Sequence, residues 1–343
     1  MNLRYLILNV LFFLVVLATT AQKIDTIYHI NGNTLTGDFK KLVYGVVTYK
    51  MDGMGTVSLE TPKINSFRSI KRFDVRLKNG SRYYCSFDSS AYERKVNMLL
   101  SNGKKLVDID DVVQIYPIKK SFWLRTSGNF GLGFNYSKGS NLATIDINGR
   151  LDYRKRNSSF YFSWDNYDTF QADTISSTKV DSRLGWTRFL RSKWSAGTNI
   201  GMTQNSELGT KLRLDIAVVG LYDFVFNQWN RLYAAGGISL QRETPYDASE
   251  NIEDVVGVLS LSWKVYRLTN PKVWVDSDVS FIPYFTTEGR YRINMNFNPK
   301  ISIVGNDLKL GFKFYYSYDS QPPTATAAKD DWGLSLEVSY YFH

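Results

Sequence analysis

The sequence predicts an all-β protein: a twelve-stranded antiparallel transmembrane β-barrel preceded by a small periplasmic β domain of two repeats. Three observations carry that expectation. Residues 1–22 have the form of an export signal, residues 23–120 repeat at a fixed offset, and residues 121–343 alternate apolar and polar side chains almost without interruption. The composition agrees. Aromatic residues make up 15% of the 343-residue chain against only 8 Pro, too much ring surface for a disordered chain. One cysteine, Cys85, forbids an internal disulfide, and two histidines, His29 and His343, exclude a multi-histidine metal site.

The first segment, residues 1–22, places Arg4 ahead of an apolar run from Tyr5 to Ala18, followed by Ala18-Thr19-Thr20-Ala21-Gln22. Charge, apolar core and small residues in that order form a secretory signal peptide. The run is shorter than the roughly 18–20 residues a membrane-spanning helix needs, and nothing later in the chain matches it. The mature protein is expected to be exported.

Residues 23–120 contain two units, about 25–70 and 73–118, offset by 48 positions. Asn31-Gly32 matches Asn79-Gly80, Phe39 matches Phe87, Ile64 matches Val112 and Phe67 matches Ile115. Each unit opens with a short strand running into Asn-Gly, a dipeptide suited to the positive backbone angles of tight hairpin turns. Asp52-Gly53 and Asn102-Gly103 mark further turns. Four or five strands in under fifty residues suggest SH3-like or Sm-like units, too small to bury much apolar surface singly. This region holds 17 Lys and Arg against 10 Asp and Glu, most of the net charge of +10. Such a basic exported domain could meet anionic lipid, lipopolysaccharide, cell wall or a periplasmic protein. Nucleic acid is not expected, because no aromatic-interleaved basic stripe is present.

From Ser121 onward, twelve segments alternate with period two, which puts alternate side chains on opposite sheet faces. Several exceed the five or six residues usual in globular strands, as a closed membrane barrel requires. The connections 155–157, 191, 226–229, 267–271 and 305–307 are short, whereas 166–177, 243–252 and 319–330 are expected to be long polar loops on the other side. One face carries Phe160, Phe162, Leu184, Ile200, Leu214, Ile216, Val218, Leu259, Leu261, Val279 and Phe281. Trp164, Trp186, Trp194, Trp263 and Trp332 are expected in girdles at the strand ends. The opposite face, with Lys211, Arg290, Asn294 and Asn296 among its residues, is too charged for lipid. The lumen-lining candidates are Arg150, Asp152, Asp181, Arg183, Arg213, Asp215, Asp276, Asp278 and Arg292. They either form a narrow polar pathway or salt-bridge into a plug, since twelve strands exceed the roughly eight whose interior side chains alone can fill.

The final strand, Trp332 to Phe342, resembles the C-terminal targeting strand through which outer-membrane proteins meet their barrel-assembly machinery, with His343 as one extra residue. The whole layout resembles the salt-induced outer-membrane protein family, domain of unknown function 481. The exported segment Tyr28-His29-Ile30-Asn31-Gly32-Asn33-Thr34-Leu35-Thr36-Gly37 ahead of a barrel contributes to that resemblance. It implies an outer-membrane location and supplies no catalytic residues.

Catalysis is not expected. Barrel hydrolases rely on a histidine base, and here His343 ends the chain while His29 lies in a repeat strand. The run Asp108-Ile109-Asp110-Asp111 suits turn capping better than calcium, because it lacks the glycine and distal glutamate of a calcium loop. No cofactor or metal site is expected. The sequence therefore points to a barrel in contact with outer-membrane lipid and lipopolysaccharide, in a structural or envelope-associated role, with a narrow channel as a variant. The alternatives are a pore for small hydrophilic solutes and, as an outsider, an envelope lipid hydrolase.

Overall fold

The computed structural model describes residues 25–51, 53–118, 122, 125–137, 141–171, 174–246, 250–267, 271–305, 307–324 and 326–342. The signal segment 1–22, Trp123 and His343 lie outside the described residues.

Nine strands precede the barrel. They are β1 (Asp25–His29), β2 (Thr34–Val43), β3 (Val46–Met51), β4 (Gly55–Glu60), β5 (Ile64–Leu77), β6 (Arg82–Ser89), β7 (Lys95–Leu100), β8 (Gly103–Asp108) and β9 (Val112–Pro117). They form one sheet in the order β4-β3-β2-β1-β5-β6-β7-β8, with β9 pairing β2 and β5. The 48-residue offset is visible in the pairing. The first half of β5 closes on β1 (Ile27 opposite Phe67), and β9 closes on the second half of β5 (Val75 opposite Ile115). A one-turn 3-10 helix precedes each closing strand, Thr61–Lys63 in one unit and Ile109–Asp111 in the other. Asp108 caps the second, its carboxylate accepting from the Asp110 amide at 3.0 Å.

Both hairpin turns use the same chemistry. Asn31 accepts from the amide of Asn33 and Asn79 from that of Ser81, while Gly32 and Gly80 take φ of +86° and +84°. The two units share a single core. Phe39 stacks on Phe67 at 5.2 Å, Phe67 meets Phe87 at 4.7 Å, and Cys85 is buried beside them. Neither unit closes that core alone.

The other twelve strands close on themselves. They are β10 (Thr126–Ser137), β11 (Leu142–Arg154), β12 (Ser158–Gln171), β13 (Thr174–Phe189), β14 (Trp194–Asn205) and β15 (Thr210–Phe226). The circle continues through β16 (Asn230–Pro245), β17 (Ile252–Arg267), β18 (Val273–Pro283), β19 (Tyr291–Val304), β20 (Leu308–Asp319) and β21 (Asp330–Phe342). Every neighbour is antiparallel, and β21 seals the barrel on β10 from Gly128 opposite Phe342 to Phe134 opposite Leu336. Residues 155–157, 190–193, 227–229, 268–272 and 305–307 connect strands at one rim, called here the near rim. The remaining connections lie at the far rim.

Three expectations are corrected. Residues 166–177 are not a long loop: Asn166 pairs with Val180 and Gln171 with Thr174, so β12 and β13 run on as a hairpin. Trp164 lies mid-strand and not in a girdle, with its ring over Gly149, where a Cβ would come within 2.1 Å of it. Lys211 sits where the β15–β16 register slips, which turns it out to solvent.

Candidate functional site

The barrel wall reverses the burial logic of a water-soluble sheet. On β21, Leu334, Leu336 and Val338 point outward and are 45–47% exposed, while Ser335, Glu337 and Ser339 between them are at most 1% exposed. The same holds on β15, where Leu214, Ile216 and Val218 alternate with Asp215 and Ala217. The exposed apolar surface continues around the wall through Phe162, Leu184, Ile200, Leu240, Leu259 and Phe297. A patch on that scale far exceeds the few hundred Å² that soluble monomers tolerate, and it matches a wall solvated by hydrocarbon.

Inside, the charges form three groups. Near the far rim, Glu243 receives Arg292 at 2.8 Å, Arg213 at 2.8 Å and Arg290 at 2.9 Å. Arg290 and Arg292 also hold Asp319, at 2.8 and 2.5 Å. Strands β15, β16, β19 and β20 and the 284–290 connection are thereby drawn across the lumen. On the β10–β12 side, Lys300 pairs with Glu337, and Lys313 bridges Asp146 at 2.9 Å and Asp165. Asn148 reaches Glu337 at 3.0 Å. Buried ions so arranged are costly to disrupt singly, on the order of 3–5 kcal/mol when one partner is removed.

The third group, running from the near rim up to the middle of β13, is wetter. Arg150 pairs with Asp152 at 2.8 Å, Arg183 with Asp181 at 3.5 Å and Lys264 with Asp276 at 3.2 Å. Asp278 accepts from Asn296 at 3.0 Å. Arg150 lies over the Tyr161 ring at 4.2 Å, and the charge interactions of Arg183 extend across the lumen to Asp215 and Asp278. The three ion pairs keep 34–43% of their side-chain surface exposed although they point inward. Among the described residues, side chains do not fill the barrel around these pairs.

The nine candidates thus fall into two places. Arg150, Asp152, Asp181, Arg183, Asp276 and Asp278 surround the wet stretch nearer the near rim, with Asp215 within reach of Arg183, while Arg213 and Arg292 belong to the far cluster. Sequence reasoning left out Glu243, Asp319, Glu337, Lys300 and Lys313. Strand alternation alone could have flagged Glu337, between outward Leu336 and Val338, but not its partner.

At the near rim the N-terminal sheet covers the mouth and contacts four of the five connections, with a longer-range charge interaction at the fifth. Tyr84 donates to Asn157 at 3.0 Å. Gly80 abuts Ser192, leaving a Cβ there only 2.4 Å from the Ser192 carbonyl oxygen. Gln228, 1% exposed, donates to the carbonyls of Ile109 and Val112 at 2.8 Å and accepts from the Thr61 hydroxyl at 2.6 Å. It therefore binds both 3-10 turns of the two units. Lys272 pairs with Glu60 at 3.0 Å, and Lys41 interacts with Asp307.

Deeper in, Arg76 and Arg231 share Asp223 at 2.8 and 2.7 Å, and Arg76 lies 4.1 Å from the Phe226 ring centre. Tyr44, at the β2–β3 turn, packs into the mouth on Tyr266 at 4.2 Å and Trp274 at 6.0 Å. Burial pushes the Tyr116 hydroxyl up to about 12 in this junction.

A family model described as "Protein of unknown function, DUF481" matches residues 130–342. The chain belongs to this family. The matched span takes in nearly the whole barrel of this DUF481 member, from early β10 to the last described residue, and leaves the N-terminal sheet outside it. No curated protein matches the sequence. Among solved structures, the barrel is similar to the NanC porin, at 10% identity and a TM-score of 0.41, covering 62% of this chain and 98% of that one. The translocator domain of autotransporter NalP from Neisseria meningitidis is similar at 10% identity and 0.33, covering 63% and 86%. The CymD monoaromatic hydrocarbon channel is similar at 10% identity and 0.30, covering 80% and 87%. Likeness that remote assigns no task to this chain.

Proposed function

We propose that this DUF481 member is a bacterial outer-membrane barrel whose near rim faces the periplasm and whose resting state is closed. Its role on this reading is structural or envelope-associated and non-catalytic. The observation that carries it is the cover: one N-terminal sheet contacts four of the five near-rim connections, sets Lys41 in the field of Asp307 at the fifth, and presses Tyr44 into the mouth. The apolar outer wall supports the membrane location, and an even strand number returns both ends of the barrel to one side. The cover is read as two SH3/Sm-like units fused through β5, lying in the periplasm after removal of residues 1–22. In this reading β21 meets the assembly machinery, and the outer wall meets lipid and lipopolysaccharide.

A second reading, a pore for small hydrophilic solutes, is favoured by the solvent-exposed, inward-facing ion pairs Arg150–Asp152, Arg183–Asp181 and Lys264–Asp276. It requires the cover to move. Planar-bilayer recording of the full chain separates the two. The closed barrel gives no steady current, and a Gln228→Ala, Arg76→Ala variant gives intermittent openings. Steady current from the unmodified protein would refute the closed state.

A further inference from the structure

Where the N-terminal sheet meets the barrel at β11 and β12, a small solvent-open cleft is lined by Tyr116, Ile118, Arg125, Arg154, Lys155 and Arg156, with Asp74 as its one carboxylate. Arg82 takes up Asp74 through two hydrogen bonds, and the nearest approach of Arg154 to it is 3.9 Å. Arg154 Nε is buried without a hydrogen-bond partner among the described residues. Among those residues, no carboxylate lies within salt-bridge distance of Arg125, Lys155 or Arg156. Four cations therefore converge on a cleft with no free anion to meet them.

The surroundings say which anion fits. Aromatic rings flank the cations on the outer wall: Phe122 stacks on Tyr153 at 4.8 Å, and Lys155 lies 5.3 Å from the Phe160 ring centre. Arg156 lies over Tyr84 of the sheet at 3.9 Å. Phe122, 54% exposed, and Phe160 face away from the barrel axis, where a membrane boundary places aromatic residues. The next near-rim connection continues the pattern with Arg191 and Lys193 beside exposed Leu190 and Trp194. The far rim differs in sign, with Glu207, Glu250 and Glu288 in its connections.

We propose that this cleft binds the headgroup of an anionic phospholipid in the leaflet at the near rim. The phosphodiester is held by Arg125, Lys155 and Arg156, and the acyl chains lie along Phe122, Tyr153 and Phe160. Guanidinium forks match phosphate oxygens in pairs, and the aromatic shelf excludes a ligand without tails from most of the contact. Because Tyr116 and Tyr84 belong to the sheet while Arg125 and Lys155 belong to the barrel side, such a lipid also pins the cover to the barrel.

Lipid binding here rests on the membrane reading proposed for the barrel, so two measurements keep them apart. Insertion of the full chain into phosphatidylcholine vesicles, judged by resistance to carbonate extraction, examines the membrane reading alone. Native mass spectrometry in detergent with equimolar phosphatidylglycerol and phosphatidylcholine of matched chains examines the cleft. The native protein should retain phosphatidylglycerol at least tenfold over phosphatidylcholine. Arg125→Gln, Lys155→Gln, Arg156→Gln together should abolish the preference, at roughly fivefold per cation. Lys329→Gln at the far rim should leave it intact, and heat-modifiable migration on gels shows that each variant still forms its barrel. Equal retention of the two lipids by an inserted native protein, or a preference that survives the triple substitution, overturns the proposal. So does loss of the preference in millimolar inorganic phosphate, which would assign the cleft to free phosphate.

Discussion

Removing Asp223 should loosen the cover far more than removing Arg76, although the two are partners. Asp223 is 2% exposed and neutralises two guanidinium groups, Arg76 of the sheet at 2.8 Å and Arg231 of the barrel at 2.7 Å. Asp223→Ala strands both cations in a buried junction, and loss of one partner of a buried pair costs about 3–5 kcal/mol. Arg76→Ala leaves Asp223 still paired with Arg231 and forfeits one charge-assisted hydrogen bond and the contact with Phe226, about 2 kcal/mol. The two substitutions share a contact and cannot add. The double variant should be less destabilised than the sum of its parents by on the order of 1–3 kcal/mol. Amide hydrogen exchange across Val112–Pro117, with the barrel as internal reference, reads the opening free energy in all four proteins. Additive effects would refute the assignment of this pair as the central tie, as would Arg76→Ala proving more damaging than Asp223→Ala.

Gly32 and Gly80 give a matched pair, because both hold φ near +85° but only Gly80 lies against the barrel. Alanine at either should cost about 1 kcal/mol in backbone strain, and only Gly80→Ala should expose the near-rim turns to protease; equal exposure in Gly32→Ala would contradict the contact. Burial pushes the Cys85 thiol up to about 12, so maleimide at pH 8 should leave it unmodified in the folded protein and label it fully in guanidinium; rapid labelling without denaturant would place Cys85 outside the core. Burial pulls the Lys41 ammonium down to about 8 from 10.5, against the opposing pull of Asp307. The undocked chain then binds more protons than the docked one between those two values, so docking should strengthen as pH rises from 8 toward 10.5 and stay flat below 8. Exchange protection of the sheet measured at pH 7 and 9 should rise in the native protein and not in Lys41→Met, and a fall at pH 9 would reverse the sign.

How far the sequence carries differs by element, for physical reasons. Period-two alternation locates all twelve barrel strands because hydrocarbon permits one kind of side chain outside and water-bearing lumen another inside. The same rule misplaces 166–177. On the proposed membrane reading this hairpin projects beyond the hydrocarbon and both its faces meet water, so Asp168, Thr169 and Ser177 read as loop while their backbones still pair. The repeat is legible because Asn-Gly turns and Phe39/Phe87 recur at one offset, whereas the use of Gly80 as a contact is not, since Gly32 in the same turn touches nothing. Ion pairs such as Lys313–Asp146 join residues 167 apart and exist only after closure fixes the register. Gln228 is a neutral residue in a short turn, and nothing in its neighbours marks it as the bolt between two domains.

The proposed barrel meets lipid with its outer wall and not with its inner wall. Spin labels placed singly from Leu334 to Tyr340 in the full chain, reconstituted in phosphatidylcholine vesicles, test it residue by residue. Collision with dissolved oxygen should be high at Leu334, Leu336, Val338 and Tyr340 and low at Ser335, Glu337 and Ser339. A profile without that two-residue beat, or one in which a water-soluble nickel reagent reaches the apolar positions as readily as the polar ones, would contradict the barrel as described.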